Sequence, residues 1–483
     1  MVKTKVALFA AGVMLSVVSA PAFAQTSPDA TSAQNQQGQQ GQQGQQDSVP
    51  AVLGNDAAAP SATPKTWQPL ADKGVTIALN YTGEAAGNPS GGLRQDAAYA
   101  GQVYAGLDFD MDRIAGIAGG KIHVAVTNRH GDSLSNLAIG NNTSVQEIWG
   151  TQNTHLAILT WEQTFLQGKL DVEAGKSTAN VSFLNSPLYC NFQSNSACGN
   201  PTFIFKVSNF TYFPASSWMA QATGHITDKV YLHAGVYEVN PDRKRADDDG
   251  FSFSTKNATG VIVPWELGYG TDFSNDHLPR HYAVGGWFDR GDYTDPLRDA
   301  QGGLAVLTGQ PYATQHGRSG MFFRFDQMLT RPDPKSERGL SMFGVAMANL
   351  SGRVTETHYL EMGLVQTGTF AGRDKDTIGF VLNDQHFSDL ALDNIRAARV
   401  SAGGSPDIPH DQYMMELAYG AQLNPSIRIS PNVQYIVHPD QTSVPFRTSN
   451  IHDAFVVGFK FTVDAATLLG SALSHGSPRA TLQ

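Results

Sequence analysis

Sixteen segments of the chain alternate between apolar and polar positions with a period of two. In one of the clearest, Val103, Leu107 and Phe109 fall on one face, and Gln102 and Asp108 fall on the other. This alternation predicts β-strands, because successive side chains of an extended chain point to opposite faces. Strands of about ten residues are long enough to cross a bilayer with tilt. The predicted strands cover 75–83, 99–111, 120–129, 153–163, 168–176, 217–224, 229–239, 261–270, 281–291, 319–329, 340–350, 358–369, 376–384, 412–423, 426–438 and 453–463.

Alternation alone fits both a soluble antiparallel sheet with one wet face and a barrel embedded in lipid. The connections between the predicted strands favour the barrel, because long and short connections alternate along the chain. Short turns on one rim and long loops on the other are typical of outer-membrane barrels. The sequence therefore predicts an all-β fold, a transmembrane antiparallel β-barrel of about 16 strands over 67–463. The predicted long connections are 84–98, 130–152, 177–216, 240–260, 292–318, 385–411 and 439–452, and only 351–357 is short where a long one is expected.

The chain begins with the features of a secretory signal peptide over 1–24. Lys3 and Lys5 precede an apolar run, and Ala22 and Ala24 supply small residues at the predicted cleavage site. Export places the two cysteines of the chain in an oxidising compartment.

Two further segments lie outside the predicted barrel. Residues 25–66 are rich in Gln and Gly, and a segment of this composition buries too little apolar surface to fold. We expect a disordered periplasmic leader there. Residues 464–483 form a C-terminal tail after the last predicted strand.

Composition supports a barrel and argues against several other classes of protein. The chain is 10% aromatic and only 16% charged and contains 48 Gly, which suits a barrel better than a large soluble enzyme. A net charge of −10 argues against nucleic acid as a partner. The sequence contains no His-Glu-x-x-His, Gly-x-Ser-x-Gly or Cys-x-x-Cys motif, so we expect no enzyme activity, no cofactor and no metal.

The longest predicted connection, 177–216, is the third on the long-loop side. It holds both cysteines of the chain, Cys190 and Cys198, and an isolated pair in one exported loop predicts a disulfide. The loop is also rich in Phe and Tyr, which would be an aggregation liability on an outer surface. We expect it to fold into the lumen and constrict the channel, although a surface cap stays open as an alternative.

Several segments together resemble a known family in their order and spacing, over about 73–463. They are Trp161-Glu162-Gln163, Gly168-Lys169-Leu170, Glu173-Ala174-Gly175-Lys176, Tyr237-Glu238-Val239-Asn240-Pro241, Gly372-Arg373-Asp374-Lys375-Asp376, Asn424-Pro425 and Pro431-Asn432-Val433-Gln434-Tyr435-Ile436-Val437-His438-Pro439. The chain resembles the carbohydrate-selective outer-membrane porins, the OprB family. The resemblance implies a sixteen-stranded barrel whose eyelet is lined by Arg and acidic side chains and passes glucose and similar sugars.

Planar Arg and carboxylate groups can each bond two sugar hydroxyls, and aromatic rings can cover the apolar face of a sugar. Polar-face residues near mid-strand are therefore candidates for lining the pore and binding sugar, with one lysine at the entrance of the third long loop. They are Lys176, Glu266, Trp287, Asp289, Arg324, Asp326, Glu416, Asn432 and Gln434. Each could equally be a solvated wall residue, but we expect at least one Arg–carboxylate cluster at the constriction.

The sequence thus predicts a passive carbohydrate channel in the bacterial outer membrane, with small neutral sugars as solutes. A general non-selective porin is the alternative, and a barrel-based enzyme or adhesin is a weaker one. The expected partners are the lipid bilayer, lipopolysaccharide and the barrel assembly machinery. Whether the channel is a monomer or a homo-oligomer stays open.

Overall fold

The computed structural model describes residues 68–468. The predicted signal peptide, the Gln/Gly-rich leader and most of the predicted tail lie outside the described residues. Sixteen antiparallel strands each pair with their neighbours in sequence, and the first pairs with the last, so the sheet closes into a barrel. The predicted transmembrane β-barrel of 16 strands is confirmed.

The strands, in chain order, are β1 Val75–Gly92, β2 Ala97–Asp110, β3 Gly120–Gly131, β4 Thr154–Phe165, β5 Leu170–Ser177, β6 Ser217–His225, β7 Val230–Val239, β8 Gly260–Gly270, β9 Arg280–Asp299, β10 Tyr312–Met328, β11 Gly339–Ser351, β12 Glu356–Thr367, β13 Thr377–Phe387, β14 Asp411–Asn424, β15 Ile427–Val437 and β16 His452–Asp464. Every predicted strand overlaps one of these.

The alternation of the sequence becomes an apolar outer wall and a polar inner wall. On β2, Val103 and Leu107 are 37% and 38% exposed, whereas Gln102 is 2% exposed. Outward-facing Leu, Phe, Val and Met side chains continue around the wall, for example Leu267, Phe323, Leu360, Phe380, Leu417 and Phe459. A soluble protein buries such side chains, so this inversion identifies the outer wall as a surface for lipid. Within residues 68–468, no helix is long and apolar enough to span a membrane.

The connections fall on two rims, largely as predicted. The turn between β14 and β15 is short because the Asn424 side chain accepts a hydrogen bond from the Ser426 backbone N–H at 2.9 Å. Other connections on this rim are 111–119, 166–169, 226–229, 271–279, 329–338 and 368–376. The opposite rim carries the long loops 132–153, 178–216, 240–259, 300–311, 388–410 and 438–451, and also the short connections 93–96 and 352–355.

The predicted long loop 84–98 is wrong, because β1 continues through Gly92. Gly87 and Ser90 still pair with β16, and Gly87 also pairs with Ala97 on β2. The Gly-, Pro- and Ser-rich sequence resembles a loop, but the glycines are needed for close packing. A Cβ at Gly91, where φ is 77°, would lie 1.8 Å from the Asp453 carbonyl oxygen. Strands β9 and β10 also extend beyond their predicted ends.

The helices lie in the connections and at the ends of the barrel. The longest helix, α5 (Asp389–Ser401), interrupts the predicted loop 385–411. The Ser388 side chain caps its first turn by accepting from the Ala391 N–H at 3.2 Å. Its buried Leu392 and Ile395 pack with Phe387. The helices are α1 Gln68–Ala71, α2 Met111–Ala115, α3 Phe203–Val207, α4 Ala305–Thr308, α5 Asp389–Ser401 and α6 Ala465–Leu468. Shorter 3₁₀ turns occupy Leu166–Gly168, Ala179–Val181, Tyr189–Asn191 and Pro241–Lys244, and a π-helical turn occupies Ser135–Ile139.

The outer wall predicts a depth-dependent response to charge. Leu382 lies at the middle of β13 and faces outward, and Leu350 lies at the rim end of β11. We expect Leu382→Arg to destabilise the barrel by about 2–4 kcal/mol and Leu350→Arg by about 0–1 kcal/mol, because arginine is costly only in the hydrocarbon. Denaturant unfolding in lipid vesicles, followed by heat-modifiable gel mobility, measures the difference. Equal costs at the two sites would contradict a lipid-facing wall.

Candidate functional site

The loop 178–216 leaves β5 and packs against inward-facing side chains of the barrel wall. Its backbone N–H at Asn209 donates to Asp289 Oδ2 of β9 at 2.8 Å. Its N–H at Gln193 donates to Glu416 Oε1 of β14 at 2.7 Å. Strands β9 and β14 are well separated around the barrel. The loop therefore lies against the inner wall on more than one side of the lumen.

Three of the predicted site residues, Arg324, Glu266 and Asp326, form one cluster of charged side chains that contacts this loop. Arg324 of β10 makes two bonds to the Glu266 carboxylate of β8, from Nε at 3.2 Å and from Nη2 at 3.0 Å. Asp326 Oδ2 lies 3.6 Å from Arg324 Nη1, which also donates to the Asn185 carbonyl of the loop. A bidentate pair in a buried site is a strong, directional contact. This Arg–carboxylate cluster is bonded to the loop; a cluster at the constriction stays a prediction.

Glu416 and its neighbour Asn432 bind a second part of the loop 178–216, at Gln193 and Ser194. The two carboxylate oxygens of Glu416 accept the backbone N–H groups of Gln193 and Ser194, at 2.7 and 2.9 Å. Asn432 Nδ2 donates to the Gln193 side-chain oxygen at 2.8 Å. Glu416 is 1% exposed, so these loop amides, rather than water, satisfy its oxygens.

Asp289 and Trp287 of β9 anchor a third part of the loop. Asp289 accepts from Arg318 Nε at 2.9 Å as well as from the loop. Trp287 is 1% exposed, and its ring packs edge-on against Phe203 of α3, with 6.4 Å between the ring centroids. Both belong to a buried contact between the loop and the wall.

A second loop, 132–153, also packs against the inner wall, which the sequence did not predict. Gln146 Nε2 donates to the Glu84 carbonyl of β1 at 2.8 Å. Gln434, the remaining predicted site residue on β15, donates to the Val145 carbonyl at 3.1 Å. The two loops are bonded to each other, since the Glu147 N–H donates to the Gln193 carbonyl at 2.9 Å.

Lys176 is the one predicted pore residue that the structure places elsewhere. It pairs across strands with Trp218, which is exposed on the outer wall, so the two side chains share that face. Lys176 Nζ donates to the carbonyls of Gly250 and Ser252, and it lies 5.2 Å from the centre of the Phe253 ring. The loop 240–259 thus covers this lysine on the outside of the barrel. Its predicted position at the lumen is wrong.

Two charged side chains that stay partly exposed, Glu147 and Lys206, and the buried Arg129 were not among the predicted site residues. On β3, Arg129 Nε donates to Gln102 Oε1 at 2.6 Å, and Arg129 Nη2 lies 3.9 Å from Glu147 Oε1. Lys206 Nζ donates to Thr143 Oγ1 of the second loop at 2.9 Å. The side chains of Glu147 and Lys206 are 17% and 16% exposed. Both lie in loops, where a period-two pattern says nothing about the direction of a side chain, so no local signal predicts them.

The two cysteines lie together in the loop 178–216. Their Sγ atoms are 2.8 Å apart, both side chains are buried, and both are free thiols in this structure. Burial, followed by the neighbouring Cys190, raises the pKa of the Cys198 thiol well above its usual range. The disulfide therefore stays a prediction.

Comparisons with known proteins agree on one family. A family profile described as the carbohydrate-selective porin, OprB family, matches residues 94–464. Porin B of Pseudomonas aeruginosa is 28% identical over 406 residues, covering 81% of this chain and 87% of that protein. The putative porin QuiX of Acinetobacter baylyi is 26% identical over 422 residues, covering 82% and 90%. The high-pH structure of Pseudomonas putida OprB is 27% identical, with a TM-score of 0.74, covering 83% of this chain and 99% of that one.

The geometry at Glu416 predicts how the loop responds when its anchor is removed. We expect Glu416→Ala to speed hydrogen exchange at the Gln193 and Ser194 amides about tenfold or more, because bonds to a charged acceptor contribute about 1.5–3 kcal/mol each. Glu416→Gln keeps one acceptor oxygen and should fall between the variant and the native chain. The exposed Glu337, in the connection 329–338, supplies the matched control Glu337→Ala. Unchanged exchange in Glu416→Ala would show that other contacts hold this part of the loop.

The cysteine pair predicts a disulfide between Cys190 and Cys198, which can be tested only after the buried thiols are made accessible. A buried thiol with a raised pKa resists alkylation in the folded protein whether or not a disulfide is present. The protein should therefore be denatured without reductant, alkylated and digested, with a reduced sample as control. We expect mass spectrometry to recover Cys190 and Cys198 joined in the unreduced sample. Two alkylated cysteines there would refute the disulfide.

Proposed function

The chain belongs to the OprB family of carbohydrate-selective porins and forms a carbohydrate channel of the bacterial outer membrane, and from this premise we propose that its solutes are glucose and similar monosaccharides. We further propose that the loops 132–153 and 178–216 form the constriction. The family and the fold point to a channel rather than to an enzyme.

The observation that carries the constriction proposal is the pairing of opposite charges where both loops meet the wall. Arg129 projects from β3 towards Glu147 of one loop, and Lys206 of the other loop lies 3.1 Å from Glu356 Oε1. Both loops are tied to the wall and to each other, so these groups have fixed positions. A sixteen-stranded barrel without such loops is wide enough for an aqueous channel.

This arrangement suits a neutral solute rich in hydroxyl groups. Arginine and lysine donate hydrogen bonds, carboxylates accept them, and each sugar hydroxyl can do both. A site of this kind replaces part of the solute's hydration yet binds weakly enough to release it. Since each cation has a carboxylate beside it, the local charge is balanced and does not select an ion.

For the predicted residues that hold the loop, we propose an indirect role in sugar passage. Arg324, Glu266, Asp289 and Glu416 are at most 4% exposed and bond to the loop or to one another. They would therefore set the position of the loop 178–216 rather than touch the sugar. Direct sugar contact falls instead to the partly exposed groups beside Arg129.

We further propose three partners for the barrel: the lipid bilayer, lipopolysaccharide and the barrel assembly machinery. The apolar outer wall supports contact with the lipid bilayer. Contact of the long-loop rim with lipopolysaccharide, and insertion by the barrel assembly machinery, follow from the proposed location.

The constriction proposal predicts opposite changes in ion preference for two variants. Glu147→Gln leaves Arg129 without its carboxylate and should shift the channel towards anions, whereas Arg129→Gln should shift it towards cations. Each should also lower neutral hexose entry about two- to tenfold relative to neutral amino acids. Glu147→Gln does so through a lost hydrogen bond to the sugar, and Arg129→Gln through the lost contact that positions Glu147. Reversal potentials in a KCl gradient and liposome swelling measure the two effects.

Arg245, exposed in the loop 240–259 beside Asp247, provides a charge-matched control as Arg245→Gln. It should alter neither quantity. If all solutes enter faster in both constriction variants with their ranking unchanged, the general non-selective porin is the better description. If the native channel shows no preference for hexoses over amino acids, the proposed sugar selectivity itself fails.

A further inference from the structure

Aromatic side chains of the loop 178–216 form a row that reaches the barrel wall beside Arg129. Phe205 of α3 meets Tyr212 edge-on at 5.5 Å. The next residue, Phe213, lies 6.2 Å from Tyr104 of β2, with 30° between the ring planes. The row therefore runs from the loop to the wall, alongside the charged groups of the proposed constriction.

The rings of this row differ in exposure, so those that only pack inside the protein can be told apart from those that also present surface to solvent. Phe213, Tyr104 and Phe210 are buried. The ring centroids of Phe205 and Phe210 are 6.1 Å apart. Phe205 and Tyr212 are only partly buried. The buried rings account for the packing of the loop, whereas the two outer rings keep part of their surface open.

Polar groups flank the same row. Arg129 Cζ lies 5.6 Å from the centre of the Phe213 ring, and Glu147 lies beyond it. Lys206 follows Phe205 directly in the chain. Apolar ring surface thus lies beside cationic hydrogen-bond donors and an anionic acceptor.

This combination matches the two-sided chemistry of a pyranose ring. Such a ring presents an apolar C–H face, which an aromatic ring can cover, and a rim of hydroxyls for charged partners. An acyclic hexitol has the same hydroxyl chemistry but no fixed flat face. We propose that Phe205 and Tyr212 form a stacking subsite that favours cyclic sugars over acyclic polyols of the same carbon number. The subsite rests on the proposed constriction and sharpens its solute class.

The experiment compares initial entry of glucose and sorbitol into proteoliposomes at low millimolar concentration. The native channel should favour glucose, and Phe205→Ala or Tyr212→Ala should lower the glucose-to-sorbitol ratio about two- to tenfold. Tyr212→Phe keeps the ring and should keep the ratio. Phe251, an exposed ring of the loop 240–259, supplies the control Phe251→Ala, which should leave the ratio unchanged.

Each outcome decides the proposal. A native ratio no greater than one, or a ratio unchanged by both alanine variants, would overturn it, because the rings would then be packing only. A loss in Tyr212→Phe equal to that in Tyr212→Ala would assign the effect to the hydroxyl and likewise overturn stacking. Heat-modifiable gel mobility reports folding, and Phe205→Leu replaces Phe205→Ala if the latter fails to assemble. Preference for hexoses over amino acids, measured in the same vesicles, tests the proposed function separately.

Discussion

Closure of the sheet is the constraint on which the rest of the structure depends. Hydrocarbon offers no water to an unpaired N–H or carbonyl, so a sheet can cross it only without an edge. Pairing of β1 with β16, from Asn80 opposite Asp464 to Gly92 opposite His452, removes that edge. Once the sheet is closed, the period of two sets the two walls: most apolar positions meet lipid, and most polar positions face the lumen, with Lys176 of β5 as an exception on the outer wall.

The polar side chains that face the lumen require hydrogen-bond partners wherever water is excluded. Two loops from the long rim supply them. Glu416 binds backbone N–H groups of one loop, and Gln434 binds a backbone carbonyl of the other. Buried aromatic side chains such as Phe203 and Trp287 complete the contact. The wall chemistry thereby fixes the positions of both loops.

Prediction from sequence worked where the signal was local and failed where it was not. The period of two is local, so the strands and the inward direction of Arg324 and Glu416 followed from the residues alone. Lys176 was misplaced because a charged residue was assumed to face water, whereas the distant loop 240–259 covers it on the outer wall. The contact of Arg129 with Glu147 depends on the path of a long loop, which no short pattern encodes.

The charged groups of the lumen share one feature that bears on selectivity. Arg129, Arg318, Arg324 and Lys206 each have a carboxylate within 4 Å. A buried charge without a partner is strongly penalised, so this pairing follows from stability before any question of transport arises. Its consequence is that each of these four cations has a counter-charge beside it. In the proposed constriction, charge alone then contributes little to discrimination between neutral solutes, and hydrogen-bond geometry contributes more.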